Sequence, residues 1–173
     1  EYMFSITQEI ENKGNSNIEV FPYRLIKRIN TPDTINFFIL HEGFISLIND
    51  ELLEKNYDDI ADDCNSSMPS KKEFCDNKAQ GGWLGFTDKY WMSALIPDAD
   101  QSINVNYRYG NNGRDSYRAG YVGQIYKVSS GESLEYGGKL FVGAKKLNVL
   151  SAYDEKLSIP RFTDACLLYT SDA

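Results

Sequence analysis

One stretch decides the fold class of this chain: Gly81-Gly82-Trp83-Leu84-Gly85-Phe86-Thr87-Asp88-Lys89-Tyr90-Trp91-Met92-Ser93-Ala94-Leu95-Ile96-Pro97. Two apolar runs, residues 83–86 and 90–96, flank a polar Thr-Asp-Lys step. Apolar runs of this length between turn residues predict two buried strands, or a strand and a short turn, at the centre of a β fold. The residues that we expect to form this core signature are Gly82, Trp83, Phe86, Tyr90, Trp91, Ile96 and Pro97.

The aromatic side chains of this stretch have a second interpretation. Trp83, Phe86, Tyr90 and Trp91 could form an exposed platform for a sugar or a peptide. Aromatic residues surrounded by leucine and isoleucine belong to a core more often than to a platform. We therefore expect a core, and a carbohydrate-binding or mutarotase-like β-sandwich domain is the alternative function.

Length and charge limit the classes of function. The chain has 173 residues, of which 42% are hydrophobic, which is enough for one domain with a sizeable core. The net charge of −7 disfavours nucleic-acid binding, because phosphate contacts require Lys and Arg. The same charge disfavours direct adhesion to an anionic lipid surface. No apolar run approaches the roughly 18 residues of a membrane span and the N-terminus is no signal peptide, so we expect the chain to begin within a longer protein.

The cysteines leave two interpretations open. Cys64 and Cys75 lie in one polar segment and could form a disulfide in an oxidising compartment, or remain two free thiols. The spacing is not Cys-x-x-Cys and His41 is the only histidine, so a zinc site is not expected. Cys166 opens a C-terminal stretch, residues 166–173, that fits no preceding pattern and that we interpret as a non-native or truncated tail.

The first half of the chain has the alternation of short antiparallel strands. Residues 2–10 and 18–29 predict a long hairpin around a turn rich in Asn and Gly, with Pro22 at an edge or a bulge. Further strands are expected at residues 35–40, 44–48 and 52–60. Residues 61–80 are polar and predict a mobile loop.

The second half changes from strand to helix periodicity. Strands are predicted at residues 103–108, 117–128 and 134–142. Apolar residues then recur every three or four positions over residues 145–157, which predicts an amphipathic helix that Pro160 terminates. We expect a β-sandwich over residues 1–142 and a helical linker over residues 143–165.

This helix has two candidate roles. It could cap the sheet, or it could couple the domain to another part of the protein. The residues that we expect to couple or interact are Phe141, Lys145, Lys146, Leu147, Leu150, Tyr153, Leu157, Pro160 and Phe162.

No group of residues has the pattern of an active site. One acidic cluster lacks the spacing and the glycine turn of a calcium loop, and we predict that it is a solvated acidic loop: Asp58, Asp59, Asp62, Asp63 and Asp76. His41 has no nucleophile elbow beside it, and no pair of carboxylates is singled out for glycoside hydrolysis. We expect a non-enzymatic domain that needs no cofactor and no metal.

Several segments occur in the order in which the periplasmic domain of the YidC family of membrane protein insertases carries them. The strongest has the form Gly-Gly-Trp, a spacer, Tyr-Trp and an aliphatic run that ends in Ile-Pro, over residues 81–98. The others are His41-Glu42-Gly43, Tyr57-Asp58-Asp59-Ile60, Asn112-Gly113-Arg114-Asp115-Ser116-Tyr117, Leu140-Phe141-Val142-Gly143-Ala144-Lys145-Lys146-Leu147 and Ile159-Pro160-Arg161-Phe162. The chain resembles this family over about residues 1–165, and its alphaproteobacterial members most.

The resemblance implies an antiparallel β-supersandwich, similar to galactose-mutarotase folds, with helical structure that leads towards a transmembrane segment. It implies a membrane-anchored full-length protein with this domain on the periplasmic side of the bacterial inner membrane. From the resemblance we expect two departures: the family domain should begin before Glu1 with several further strands, and the chain after Asp164 should differ from the family's entry into the membrane.

The resemblance also implies an accessory role in the insertion and folding of inner-membrane proteins, with or without the Sec translocon, through protein–protein contacts. The implied partners of the full-length protein are Sec translocon components and nascent membrane proteins. Nucleic acid is not an expected partner, and the membrane would be contacted only through transmembrane segments outside this chain.

Overall fold

Short strands dominate the chain, and helices follow near its C-terminal end. The structure is a computed structural model that describes residues 2–34, 41–65 and 75–169, with side chains as far as residue 166. Its strands are β1 Met3–Ser5, β2 Gln8–Glu11, β3 Ile18–Val20, β4 Tyr23–Ile29, β5 Gly43–Ile48, β6 Glu51–Asn56, β7 Asp76–Gln80, β8 Trp83–Thr87, β9 Trp91–Ile96, β10 Ser102–Asn111, β11 Asp115–Gly123, β12 Tyr126–Val128, β13 Ser133–Tyr136 and β14 Lys139–Ala144. The helices are α1 Tyr57–Asp63 and α2 Leu147–Leu157, followed by a 3₁₀ segment Phe162–Tyr169 with a kink at Cys166.

The strands form two main sheets and two ribbons, all with antiparallel pairing. One sheet has six strands in the order β1-β14-β9-β8-β5-β6, and the other has four in the order β4-β11-β10-β7. The ribbons pair β12 with β3 and β13 with β2. The predicted class, mainly antiparallel β with a C-terminal amphipathic helix, is confirmed. The supersandwich similar to galactose-mutarotase folds stays a prediction.

The first core lies between the two sheets. Its members from the six-stranded sheet include Phe44, Leu84 and Phe86, and Tyr107 and Tyr121 come from the four-stranded sheet. The Phe44 ring centroid lies 5.0 Å from that of Tyr107. Because both sheets contribute large rings, this core holds the two sheets together.

The second core lies on the opposite face of the six-stranded sheet, under the C-terminal helical segment. Ile45, Leu47 and Trp83 point to this side and pack with Leu150 of α2 and with Phe162. Both faces of β5 and β8 are therefore covered, and every residue of these two strands is buried. Double coverage explains why their sequences are continuous apolar runs and not alternating ones.

The predicted hairpin between residues 2–10 and 18–29 is wrong. These segments are strands, but each pairs with a strand from the far end of the chain: β1 with β14, β2 with β13, β3 with β12 and β4 with β11. Pro22 lies in the break between β3 and β4. The alternation of apolar and polar residues identifies a strand. It does not identify the neighbouring strand, which depends on which strand edges are free in the folded sheet.

The prediction for residues 52–80 is wrong in two places. The strand β6 ends at Asn56, whose side chain accepts a hydrogen bond from the Asp59 amide at 2.8 Å and caps α1. Residues 57–63 are therefore helical, because an asparagine at this position satisfies the first free amides of a helix. The predicted loop also contains β7, which pairs with β10 at the edge of the four-stranded sheet.

The remaining strand predictions are confirmed with corrected bounds. Residues 44–48 lie in β5, and the two central runs form the neighbouring strands β8 and β9. The long strands predicted at 117–128 and 134–142 are each divided in two, as β11 with β12 and β13 with β14. The strand predicted at residues 35–40 lies outside the described residues.

Candidate functional site

The candidate coupling segment starts at the end of β14 and is docked on the six-stranded sheet. Phe141, Leu150 and Phe162 are fully buried. Tyr153 is partly buried, and its hydroxyl oxygen accepts a hydrogen bond from the Tyr2 amide at 3.1 Å. The other predicted coupling residues are partly or largely exposed: Lys145, Lys146, Leu147, Leu157 and Pro160. The helix thus caps the sheet on one face and presents its other face to solvent.

Four aromatic rings fasten the segment to the sheet. The Phe162 ring centroid lies 5.3 Å from that of Phe141 and 5.4 Å from that of Trp83, both edge to face. Tyr153 approaches Phe141 to 5.9 Å in the same geometry. Trp83 Nε1 donates a hydrogen bond to the Pro160 carbonyl at 3.0 Å. Trp83 therefore belongs both to the central strand and to the docking site, which the sequence alone did not indicate.

The core signature divides into buried and exposed members. Trp83, Phe86, Ile96 and Pro97 are buried, and Gly82 adopts φ +86, where a Cβ would collide with the Leu47 carbonyl oxygen. The prediction of core positions for Tyr90 and Trp91 is wrong, since their exposed fractions are 62% and 58%. Tyr90 lies in the turn between β8 and β9, and Trp91 is the first residue of β9.

Lys145 connects this turn to the start of α2. Its amide donates to the Tyr90 carbonyl at 2.9 Å, and its Nζ donates to Thr87 Oγ1 at 2.6 Å. Burial lowers the pKa of Lys145, although the neighbouring Cys166 and Asp88 oppose the shift. Cys166 is buried, and its Sγ lies 3.5 Å from the Lys145 carbonyl oxygen. The prediction that residues 166–173 are non-native stays a prediction.

A partly buried ion pair beside the same turn was missed by the sequence analysis. Arg28 Nη1 donates to both carboxylate oxygens of Asp88, at 2.8 and 2.6 Å, and Tyr57 Oη donates to Asp88 Oδ1 at 3.3 Å. Burial alone would lower the pKa of Arg28, but the hydrogen bond and charge of Asp88 raise it. Burial also raises the pKa of Tyr57 well above its usual range. These residues come from three distant segments, so no local sequence pattern predicts that they meet.

The two cysteines of the polar segment form a disulfide in the structure. Cys64 and Cys75 are fully buried, with their Cα atoms 5.6 Å apart. The bond joins the C-terminal end of α1 to the residue before β7. It therefore ties the helix that follows the six-stranded sheet to the edge strand of the other sheet.

The acidic cluster does not form one solvated loop. Asp58, Asp59, Asp62 and Asp63 lie in α1, where Asp63 is buried and lies 3.7 Å from Lys55 Nζ. Asp76 lies in β7 and pairs with Arg108 at 2.5 Å. His41 Nε2 lies 2.7 Å from the Phe44 carbonyl oxygen. Among the described residues, no group of three or more His, Cys, Asp or Glu side chains could hold a metal ion.

The helices are short. Within the described ranges, none combines the length and the apolar composition that crossing a membrane requires.

Comparison with known proteins identifies the family. The model of the YidC periplasmic domain matches residues 1–165. The membrane protein insertase YidC of Rhizobium johnstonii is 35% identical over 93% of this chain and 26% of its own length. That of Methylobacterium sp. strain 4-46 is 36% identical over 93% of this chain and 26% of its own, and that of Dinoroseobacter shibae is 34% identical over 95% and 27%.

The chain spans about a quarter of the length of the curated relatives that it matches. These relatives are named as insertases, so the alternative of a carbohydrate-binding or mutarotase-like domain receives no support from them. Because the match covers nearly the whole chain, the chain belongs to the YidC periplasmic domain family, and its place is the periplasmic side of the bacterial inner membrane.

Proposed function

We propose that this chain is the periplasmic part of a membrane protein insertase and assists the insertion and folding of inner-membrane proteins, with or without the Sec translocon. The observation that carries the proposal is the family match over residues 1–165, together with relatives that are named membrane protein insertase YidC. Sec translocon components and nascent membrane proteins are the proposed partners of the full-length protein. The domain acts through protein–protein contacts.

We propose that α2 couples the domain to the rest of the insertase. The aromatic contacts between Phe141, Trp83 and Phe162 support this role, because they hold the segment against the central sheet. A displacement of the sheet then moves the segment with it. A helix connected by a flexible link would transmit no such movement.

We propose that the domain is not an enzyme. The names of its relatives describe an insertase and no chemical reaction. The docked helix and the Arg28–Asp88 pair have structural roles that require no substrate.

The experiment grafts this chain into a full-length insertase in place of the matching region and measures growth of cells depleted of their own insertase. Deletion of residues 140–162 is unsuitable, because β14 lies inside the six-stranded sheet. The double variant Leu150→Ala/Phe162→Ala loosens α2 instead. The matched control, Val105→Ala/Ile103→Ala, weakens the core between the two sheets, on the other face of the central sheet.

If α2 couples the domain to the rest of the insertase, Leu150→Ala/Phe162→Ala should slow cell growth and the insertion of a reporter protein. The effect should be larger than that of the control Val105→Ala/Ile103→Ala at equal thermal stability. Equal growth of the two variants at equal protein level would contradict the coupling role. Normal growth of cells whose insertase lacks the whole of residues 1–165 would contradict the accessory function itself.

A further inference from the structure

One end of the sandwich carries exposed aromatic rings beside lysines. At the turn between β8 and β9, Tyr90 is 62% exposed and Trp91 is 58% exposed. Lys89 Nζ lies 4.9 Å from the centroid of the Tyr90 ring. Lys146, at the start of α2, is also exposed. We define these four residues as the aromatic–basic end.

The backbone holds this end in place. The Asp88 amide donates to the Trp91 carbonyl at 2.8 Å and closes the turn. The Lys145 amide donates to the Tyr90 carbonyl at 2.9 Å, which fastens the turn to the start of α2. A groove of about 130 Å³ lies between Trp91 and Val142, which is 46% exposed, and the paired Arg28 and Asp88 also line it. The exposed rings are therefore part of a fixed surface and do not lie on a free loop.

We propose that the aromatic–basic end docks on the headgroup region of a phospholipid bilayer. Tyr and Trp are enriched at membrane–water interfaces, because each combines a large apolar ring with a polar group. Lysine suits the same position, since its stem packs on apolar surface while its ammonium reaches phosphate. The combination of Tyr90, Trp91, Lys89 and Lys146 fits this partner better than it fits a purely apolar or a purely charged one.

The last described helical segment returns to the same end of the sandwich. The segment after α2 turns back, so that Cys166 Sγ lies 3.5 Å from the Lys145 carbonyl oxygen. The relatives are about four times as long and are named membrane protein insertases, which makes a bilayer the surface available to this end.

The overall charge of −7 does not oppose this docking strongly. Six-residue strands are about 20 Å long, so acids at the far end of the sandwich lie beyond the Debye length of roughly 8 Å at physiological salt. Asp88 of the turn is paired with Arg28. Glu42 and Glu54 act on the charge of the neighbouring Lys145 and therefore add negative charge beside this end, so we expect the aromatic rings to supply most of the affinity.

The test measures binding of this chain to vesicles of phosphatidylcholine with phosphatidylglycerol by cosedimentation. Tyr90→Ala/Trp91→Ala should weaken binding more than tenfold, because it removes most of the apolar area that enters the interface. The matched control is Phe21→Ala/Tyr23→Ala, which removes two rings that are 55% and 64% exposed elsewhere. The control should bind like the unchanged chain.

The lysines and the fluorescence of Trp91 give two further readouts. Lys89→Gln/Lys146→Gln should weaken binding by up to about 30-fold on vesicles with anionic lipid and little on phosphatidylcholine alone. The exposed pair Lys27→Gln/Lys127→Gln is the control. Vesicles should shift the tryptophan emission to shorter wavelength in the unchanged chain but not in Trp91→Phe, because Trp83 is already buried.

The proposal is overturned if the unchanged chain does not bind the vesicles, or if both aromatic variants lose binding equally. It is also overturned if Tyr90→Ala/Trp91→Ala changes the sedimentation coefficient without lipid, which would assign this end to contact with a second copy. The proposal rests on the proposed function only in that a membrane must lie nearby. Vesicle binding uses this chain alone, so its failure is distinct from a failure of the growth test.

Discussion

At the residue scale, the two tryptophans of one short stretch lie in opposite environments. Trp83 is fully buried and bonds to Pro160, whereas Trp91 is 58% exposed. Their local sequences are similar, since each begins an apolar strand after a turn. The difference arises because α2 and the 3₁₀ segment pack over the side chain of Trp83. No strand or helix packs over the side chain of Trp91 to the same extent.

Replacement of each tryptophan by phenylalanine tests this contrast. Trp83→Phe should lower the free energy of unfolding by roughly 1–3 kcal/mol, because it leaves a cavity and removes the bond to Pro160. Trp91→Phe should change it by less than about 0.5 kcal/mol, as is usual for an exposed site. Urea denaturation followed by far-ultraviolet circular dichroism measures both. Equal losses would show that Trp91 is packed as Trp83 is.

Buried tyrosines should make the fold sensitive to alkali. Burial raises the pKa of Tyr136 to about 12, and the charge of Tyr126 acts in the same direction, while Arg24 opposes it. An unfolded tyrosine titrates near about 10. The unfolded state therefore loses its proton first, so the stabilising contribution is complete below about pH 10 and is lost as the pH rises towards the folded pKa.

We expect the urea midpoint to fall as the pH rises above about 10. Tyr136→Phe should make this fall shallower, because one raised pKa is removed. Tyr23→Phe, which removes one tyrosine hydroxyl at an exposed position, is the control. An unchanged slope in Tyr136→Phe would mean that this ring ionises alike in both states.

At the element scale, the disulfide between Cys64 and Cys75 sets the position of α1. It connects the end of α1 to the edge strand β7 across a sequence separation of 11. A disulfide stabilises a fold mainly because it restricts the unfolded chain, and this effect is moderate for a short loop such as this one.

Removal of this bond should lower the free energy of unfolding by about 3 kcal/mol. The variant is Cys64→Ala/Cys75→Ala, and a reducing agent should have a similar effect on the unchanged chain in urea. The same agent should not affect the double variant, whose remaining cysteine is Cys166. A reducing agent without effect on the unchanged chain would mean that the two thiols are free.

At the scale of the whole molecule, one sheet serves two cores. The six-stranded sheet packs against the four-stranded sheet on one face and against α2 with the 3₁₀ segment on the other. Neither core can open without exposing a face of this central sheet. The predicted division into residues 1–142 and residues 143–165 is therefore not expected to produce two independent folding units.

Urea unfolding should follow a single transition. Leu150→Ala should lower the free energy of unfolding by about 2–5 kcal/mol, since this fully buried side chain leaves a cavity under α2. The change in tryptophan fluorescence on unfolding reports mainly on Trp83. Fluorescence and far-ultraviolet circular dichroism should give the same urea midpoint, both for the unchanged chain and for Leu150→Ala. An earlier midpoint by fluorescence would show that α2 undocks before the sheets unfold.

The features that could be predicted from sequence are those that depend on residues close together in the chain. The central strands, the amphipathic helix and its end near Pro160 depend on local periodicity, and these predictions are confirmed. The break of residues 52–60 at Asn56 was a local capping signal that the strand pattern concealed. The partners of β1 and β4, by contrast, come from the last third of the chain.

By itself, the sequence determined the strand-rich class, the C-terminal helix and the family, because hydrophobic period and motif order are properties of neighbouring residues. Only the tertiary structure decided which apolar residues are covered. Trp83 is buried and Trp91 is exposed because burial depends on what packs over a strand, which no local pattern contains. Likewise, the pairing of Arg28 with Asp88 requires two sheets to meet, and their contact is a property of the whole fold.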